Sequence, residues 1–157
     1  MRLSHVAITV TNMGKSLAFY RDALGLTLFQ DKTISGPDLD MALMEKGAKV
    51  RMVLLADEAR NMIELLEWQA PLVRKRPPEH MKFTSTGLVE VSLTVSDLET
   101  LEKTLTAKGF KFRTPVWRFS SVVENYVGPE VKITHVVDPD GVQVELIQVL
   151  RKETVLR

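Results

Sequence analysis

Four residues place acid–base or metal-binding side chains inside segments that otherwise read as apolar strands. His5 opens His5-Val6-Ala7-Ile8-Thr9-Val10, and Glu64 interrupts Met62-Ile63-Glu64-Leu65-Leu66. Glu90 opens Glu90-Val91-Ser92-Leu93-Thr94-Val95, and Glu145 lies in Val142-Gln143-Val144-Glu145-Leu146-Ile147. A single carboxylate in a strand is ordinarily a solvated side chain. The spacing argues for more: 90 − 5 = 85 and 145 − 64 = 81, so two copies of one module each supply one such residue on the first strand and one on the last. If the modules pack with pseudo-twofold symmetry, the four side chains can converge. Three converging carboxylates repel, and unpaired buried charge is costly, so a divalent cation would resolve the arrangement. Carboxylates with one imidazole suit Mn²⁺, Fe²⁺, Co²⁺, Ni²⁺ or Mg²⁺, with Zn²⁺ also compatible.

The elements that must position these residues repeat as well. The first strand runs into Thr11-Asn12, a helix from Gly14 to Leu24 and then Gly25; the second runs into Ser96-Asp97, a helix from Leu98 to Lys108 and then Gly109. Asn12 and Asp97 are N-cap types, and each glycine supplies the left-handed residue that ends a helix. Further apolar stretches at Leu26–Phe29, Met41–Met44, Val50–Leu55 and Met62–Trp68 read as strands, giving β, α and then three or four β. Residues 69–86, with Arg74-Lys75-Arg76-Pro77-Pro78, have the composition of a linker, and the basic triplet reads as its solvated face. Beyond it, Phe110–Arg113, Val122–Val127, Val131–Val137 and Val142–Leu150 are strand candidates, and Asp138-Pro139-Asp140-Gly141 is a turn. The expected organisation is one domain over residues 1–150, made of module 1 (3–68), linker (69–86) and module 2 (87–150), followed by a tail at 151–157.

The 157 residues carry a formal net charge of +1, which points to neither nucleic acid nor a membrane surface. No apolar run approaches the roughly 20 residues that span a bilayer. The absence of cysteine excludes thiolate metal sites and a cysteine nucleophile. With no signal-peptide pattern at the N-terminus, cytoplasmic residence is the expectation.

His5–Val10, Ser16–Leu26, Ile63–Glu67, Gly87–Asp97 and Asp138–Leu146, in this order and spacing, resemble the vicinal oxygen chelate (glyoxalase/bleomycin resistance/extradiol dioxygenase) superfamily. The resemblance covers residues 3–150, and Ile63–Glu67 with Gly87–Leu93 look closest to methylmalonyl-CoA epimerase-like and glyoxalase I-like members. It implies an α+β fold: two tandem βαβββ modules forming a curled, open-barrel mixed sheet around a central site. It also implies one divalent metal ion on His5, Glu64, Glu90 and Glu145, a small-molecule substrate, and a homodimer with intrachain or swapped modules. Glu90 departs from the pattern, since those epimerase-like and glyoxalase I-like members normally have His there. In ring-cleaving dioxygenases the second His of the two-His, one-Glu iron site falls at this position, so Glu90 counts against that chemistry.

The reaction expected from these residues is that of a metal-dependent isomerase, epimerase or lyase acting on a small oxygenated metabolite. The metal would chelate two neighbouring oxygens and a carboxylate would move the proton beside a carbonyl: Glu145 first, with Glu64 or Glu90 as the alternative. His135, ten residues before Glu145 (145 − 135 = 10), is a candidate proton shuttle beside the metal or else a strand-packing residue. Arg51, Trp117, Arg118, Phe119 and Tyr126 are candidate pocket residues, with Arg51 or Arg118 available for a substrate carboxylate or phosphate. The competing readings are a dioxygenase-like enzyme with an atypical set of metal ligands, and a metal-free drug-binding or resistance protein.

Overall fold

The computed structural model describes residues 3–119 and 130–150. Two compact units are present, Met1–Arg76 and Pro77–Arg157. The first contains β1 (His5–Val10), α1 (Met13–Tyr20), β2 (Thr27–Ser35), α2 (Pro37–Leu43), β3 (Lys49–Ala56) and β4 (Met62–Ala70). The second contains a 3₁₀ turn (Pro78–Met81), β5 (Glu90–Thr94), α3 (Leu98–Ala107), β6 (Trp117–Phe119), β7 (Val131–Val137) and β8 (Gln143–Val149). Strand order is β1-β4-β3-β2 in one sheet and β5-β8-β7-β6 in the other. In each, the first strand runs parallel to the last and the other neighbours are antiparallel. A parallel pair needs a crossover, which α1 and α3 begin. This is an α+β fold of two βαβββ modules, and both sheets remain open.

Alternation along the strands divides each sheet into two faces. In the first unit, Ile8, Val10, Val53, Leu55, Ile63 and Leu65 are buried, as are Met13, Leu17, Phe19 and Tyr20 of α1. The same face carries Glu67, whose Oε1 accepts the Met13 N–H at 2.7 Å. In the second unit, Val136, Val144 and Leu146 are buried with Leu98 and Leu105 of α3, and Gln148 Oε1 accepts the Leu98 N–H at 3.1 Å. The last strand of each module thus supplies an acceptor for the free amide at the start of its helix. The repeat extends to this contact, since 98 − 13 = 85 and 148 − 67 = 81. Asn12 and Asp97 cap the helices by accepting from Lys15 N and Thr100 N. The side-chain hydrogen bond from Thr100 holds the Asp97 carboxyl below its ordinary value.

Some elements differ from the sequence reading. Met41–Met44 is not a strand: α2 takes Pro37–Leu43, and Met44 ends it in the left-handed conformation at φ 53°. Pro37 at the helix start presets φ, while Asp38 and Asp40 sit at its positive end. The Asp40 carboxylate also accepts from Gly47 N and Ala48 N, tying α2 to the entry of β3. Part of the presumed linker is ordered into the modules. β4 continues to Ala70, and buried Met81 accepts at its carbonyl from Gln143 Nε2, at 2.8 Å. The expected strand at Val122–Val127 and the tail at 151–157 lie outside the described residues. The Asp138–Gly141 turn forms as its residue types require: Asp138 Oδ1 accepts from Asp140 N and Val142 N, and Gly141 takes φ 95°.

Candidate metal centre

The register of the second sheet fixes which side chains share the face turned away from α3. Glu90 pairs with Gln143, Ser92 with Glu145, His135 with Glu145, and Trp117 with Ile133. Glu90, Gln143, Glu145, His135 and Trp117 therefore project from one face. Glu90, His135 and Glu145 each offer a ligand atom, and the three atoms lie within 4.8 Å of one another. His135 Nε2 stands 3.3 Å from Glu90 Oε2 and 3.9 Å from Glu145 Oε1. Donor atoms about 2.1 Å from one ion lie about 3 Å apart at right angles and about 4.2 Å apart across it. The two His135–carboxylate distances fall within that range.

His135 is held on several sides. Thr114 Oγ1 accepts the His135 backbone N–H at 3.0 Å and stands 3.5 Å from ring Nδ1, which leaves Nε2 toward the carboxylates. Thr114 is itself fixed by Thr134, whose hydroxyl donates to the Thr114 carbonyl at 2.8 Å. The Trp117 indole stacks on the imidazole with centroids 5.6 Å apart and planes 24° apart, and the Phe83 ring meets it edge-on at 5.6 Å. The imidazole is buried, with 11% side-chain exposure against 30% for Glu90 and 17% for Glu145. Among the described residues, nothing donates a hydrogen bond to the buried Glu90 Oε2. A carboxylate oxygen in that state, with a second carboxylate within a few ångströms, is costly by at least about 1–3 kcal/mol. A cation at the centre of the three residues would remove the cost, so the donor set fits a divalent ion.

The first sheet carries a smaller group at equivalent places. His5 Nε2 lies 3.5 Å from Glu64 Oε2, and Ser4 Oγ lies 3.1 Å from His5 Nδ1. Glu64 pairs with Leu54 as Glu145 pairs with His135, so Leu54 occupies the place of His135. The His5 side chain is 40% exposed and Glu64 14%.

The two arginines considered for substrate lie elsewhere. Arg51 pairs in register with Glu67, placing it on the α1 face and opposite to Glu64. It is bonded to Asp31 at 2.7 and 3.0 Å, and this ion pair holds the Asp31 carboxyl low and the guanidinium high. Arg118 pairs in register with Lys132, opposite in facing to Trp117, and forms an ion pair with Glu130. Phe119 ends β6 across from Val131. Tyr126 lies outside the described residues. Sequence reasoning missed Thr114, Phe83, Gln143 and Arg113, which come from loop and strand-end positions with no periodic signal of their own.

The family model for the glyoxalase/bleomycin resistance protein/dioxygenase superfamily matches residues 2–146. The chain belongs to this superfamily. Solved structures agree in fold. A glyoxalase family protein from Bacillus cereus is 18% identical, with TM-score 0.80, covering 96% of this chain and 95% of that one. A glyoxalase/bleomycin resistance protein/dioxygenase domain from Frankia sp. EAN1pec is 19% identical with TM-score 0.67 (98% and 95% covered). A virulence protein from Salmonella typhimurium is 15% identical with TM-score 0.55 (96% and 98% covered). At these identities the likeness concerns fold alone. No curated protein sequence matches the chain. Among the described residues, no helix is long and apolar enough to cross a membrane. The Glu90, His135 and Glu145 group of this chain is contributed by a single module.

Proposed function

We propose that this protein is a metal-dependent isomerase, epimerase or lyase that moves a proton beside the carbonyl of a small oxygenated metabolite. The observation that carries the reading is the Glu90, His135 and Glu145 group, with its ligand atoms within 4.8 Å and Glu90 Oε2 buried without a hydrogen bond among the described residues. Glu90, His135 and Glu145 would together hold the ion. A divalent ion there would supply a Lewis acid for two adjacent substrate oxygens. Glu145 serves as the base, since a carboxylate on this face can take the proton from the carbon next to a substrate carbonyl and return it. Trp117 and Thr114 keep the imidazole from rotating, so the geometry is set before substrate arrives. His5 and Glu64 offer an imidazole and one carboxylate, a two-ligand pair that would hold an ion more weakly. The working form is taken to be a cytoplasmic homodimer, and light scattering tests the dimer.

The test is proton exchange. Protein loaded with Mn²⁺, Co²⁺, Ni²⁺ or Zn²⁺ is incubated in D₂O with a panel of hydroxyketones and 2-oxo acids, and deuterium at the carbon beside the carbonyl is followed by NMR. Metal-dependent exchange that falls about 10²–10⁴-fold in Glu145→Gln is the expected result. Exchange of no panel member, or exchange indifferent to metal and to Glu145, would overturn the reading.

A further inference from the structure

We propose that Arg113 is the anion-recognition residue of this site, so that the substrate carries a carboxylate or phosphate group besides the two adjacent oxygens. The proposal rests on the metal-site reading above. Residues 111–113 run against β7: Phe112 bridges Val136, Arg113 N donates to the His135 carbonyl at 2.8 Å, and Val137 N donates to the Lys111 carbonyl. Phe112 and Val136 share the α3 face, so Arg113 lies beside His135 on the other. Its side chain confirms that direction, because Nη1 donates to Gln143 Oε1. Gln143 is the register partner of Glu90 and stands two residues from Glu145.

Three features suit this guanidinium to a ligand. It is preorganised: Gln143 is 1% exposed and pinned by its Nε2 bonds to the Met81 and Val89 carbonyls, at 2.8 and 3.3 Å. It is also available. Arg113 is exposed, and among the described residues no carboxylate lies within ion-pair distance of it, whereas Arg51 and Arg118 are committed to Asp31 and Glu130. The bond to Gln143 uses one N–H group and leaves the rest of the planar fork for a bidentate oxyanion contact. Finally, charge favours it. Two carboxylates and a divalent ion cancel, 2 − 2 = 0, and Arg113 then leaves the face with one positive charge. A neutral metabolite would not use that charge, whereas a monoanion would neutralise it.

Binding of three probes to metal-loaded protein separates the possibilities: dihydroxyacetone, dihydroxyacetone phosphate and 5-hydroxylevulinate. They share a hydroxyketone and differ in having no anion, a phosphate or a carboxylate. Calorimetry on wild type is expected to give one or both anionic probes a Kd at least about tenfold below that of dihydroxyacetone. Whichever anion gains identifies the oxyanion the site takes. In Arg113→Met the ratio falls to about one, in Arg113→Lys it is intermediate, and metal content stays at the wild-type value in both. Equal affinities for all three probes in wild type, or an anion preference unchanged in Arg113→Met with an unaltered melting temperature, overturns the proposal. An anion preference set by Arg113 in protein that holds no ion would overturn the metal reading and leave the Arg113 assignment standing.

Discussion

The two modules share a register and differ in what they hang on it. Glu64 faces Leu54 across β4 and β3, and Glu145 faces His135 across β8 and β7, each pair 81 residues from its counterpart. Met13 reaches Glu67, and Leu98 reaches Gln148, by the same displacement. The backbone solution is therefore common to both copies. Chemistry diverges at two points: the first strand, where His5 matches Glu90, and the third, where Leu54 matches His135. The first module ends with a half-exposed imidazole–carboxylate pair. The second has two carboxylates around a buried, aromatic-stacked imidazole, with one carboxylate oxygen that accepts no hydrogen bond among the described residues. On a shared scaffold, one apolar-to-imidazole exchange turns a pair of candidate donors into a group of three.

The largest effect that can break this contrast is the exchange itself. His135→Leu gives the second module the residue of the first, and it should weaken Co²⁺ or Ni²⁺ binding by at least about a hundredfold. Isothermal titration reads this directly, and an unchanged Kd would remove His135 from the site. Next come the acceptors that both modules keep. Glu67→Leu and Gln148→Leu each leave a helix-start amide without its partner and should cost about 1–3 kcal/mol in denaturant unfolding. Glu67→Gln should cost less than Glu67→Leu, because the second module already uses Gln there.

Trp117→Ala removes the stacked wall from His135 and should weaken metal binding by about tenfold while leaving stoichiometry intact. The smallest effect concerns the caps. Asn12→Ala should cost about 1 kcal/mol at every pH, since Asn does not titrate. Asp97→Ala should be pH-dependent. With its folded pKa lowered, Asp97 contributes fully above the ordinary carboxylate pKa of about 4, and the contribution fades as pH falls through the lower folded value. Melting curves of both variants from pH 7 to pH 2.5 should therefore converge on wild type at low pH only for Asp97→Ala.

Much of the scaffold was legible because it repeats. Asn12 and Asp97, Gly25 and Gly109, and the apolar runs around Glu64 and Glu145 are local signals, and local signals survive in sequence. Met41–Met44 was misleading because four apolar-rich residues fit a strand as well as a helix end; the arbitration came from Gly36-Pro37 just upstream. The site was legible only where carboxylates interrupt apolar strands. Arg51 faces opposite to Glu64, and Arg118 opposite to Trp117, a facing that sequence could not supply because one residue of register reverses a strand. Arg113 and Thr114 lie outside the named strands, and their bonds to Gln143 and His135 are long-range contacts that no local pattern encodes.

The most direct measurement is metal content by mass spectrometry after loading and desalting. It compares wild type with Glu90→Gln/His135→Leu and with His5→Leu/Glu64→Gln. About one divalent ion per chain is expected in wild type, near zero in the second-module variant, and retention of the ion in the first-module variant. Wild type without metal and without a thermal shift on adding Mn²⁺, Co²⁺, Ni²⁺ or Zn²⁺ would contradict this expectation. So would an ion that survives loss of Glu90 and His135.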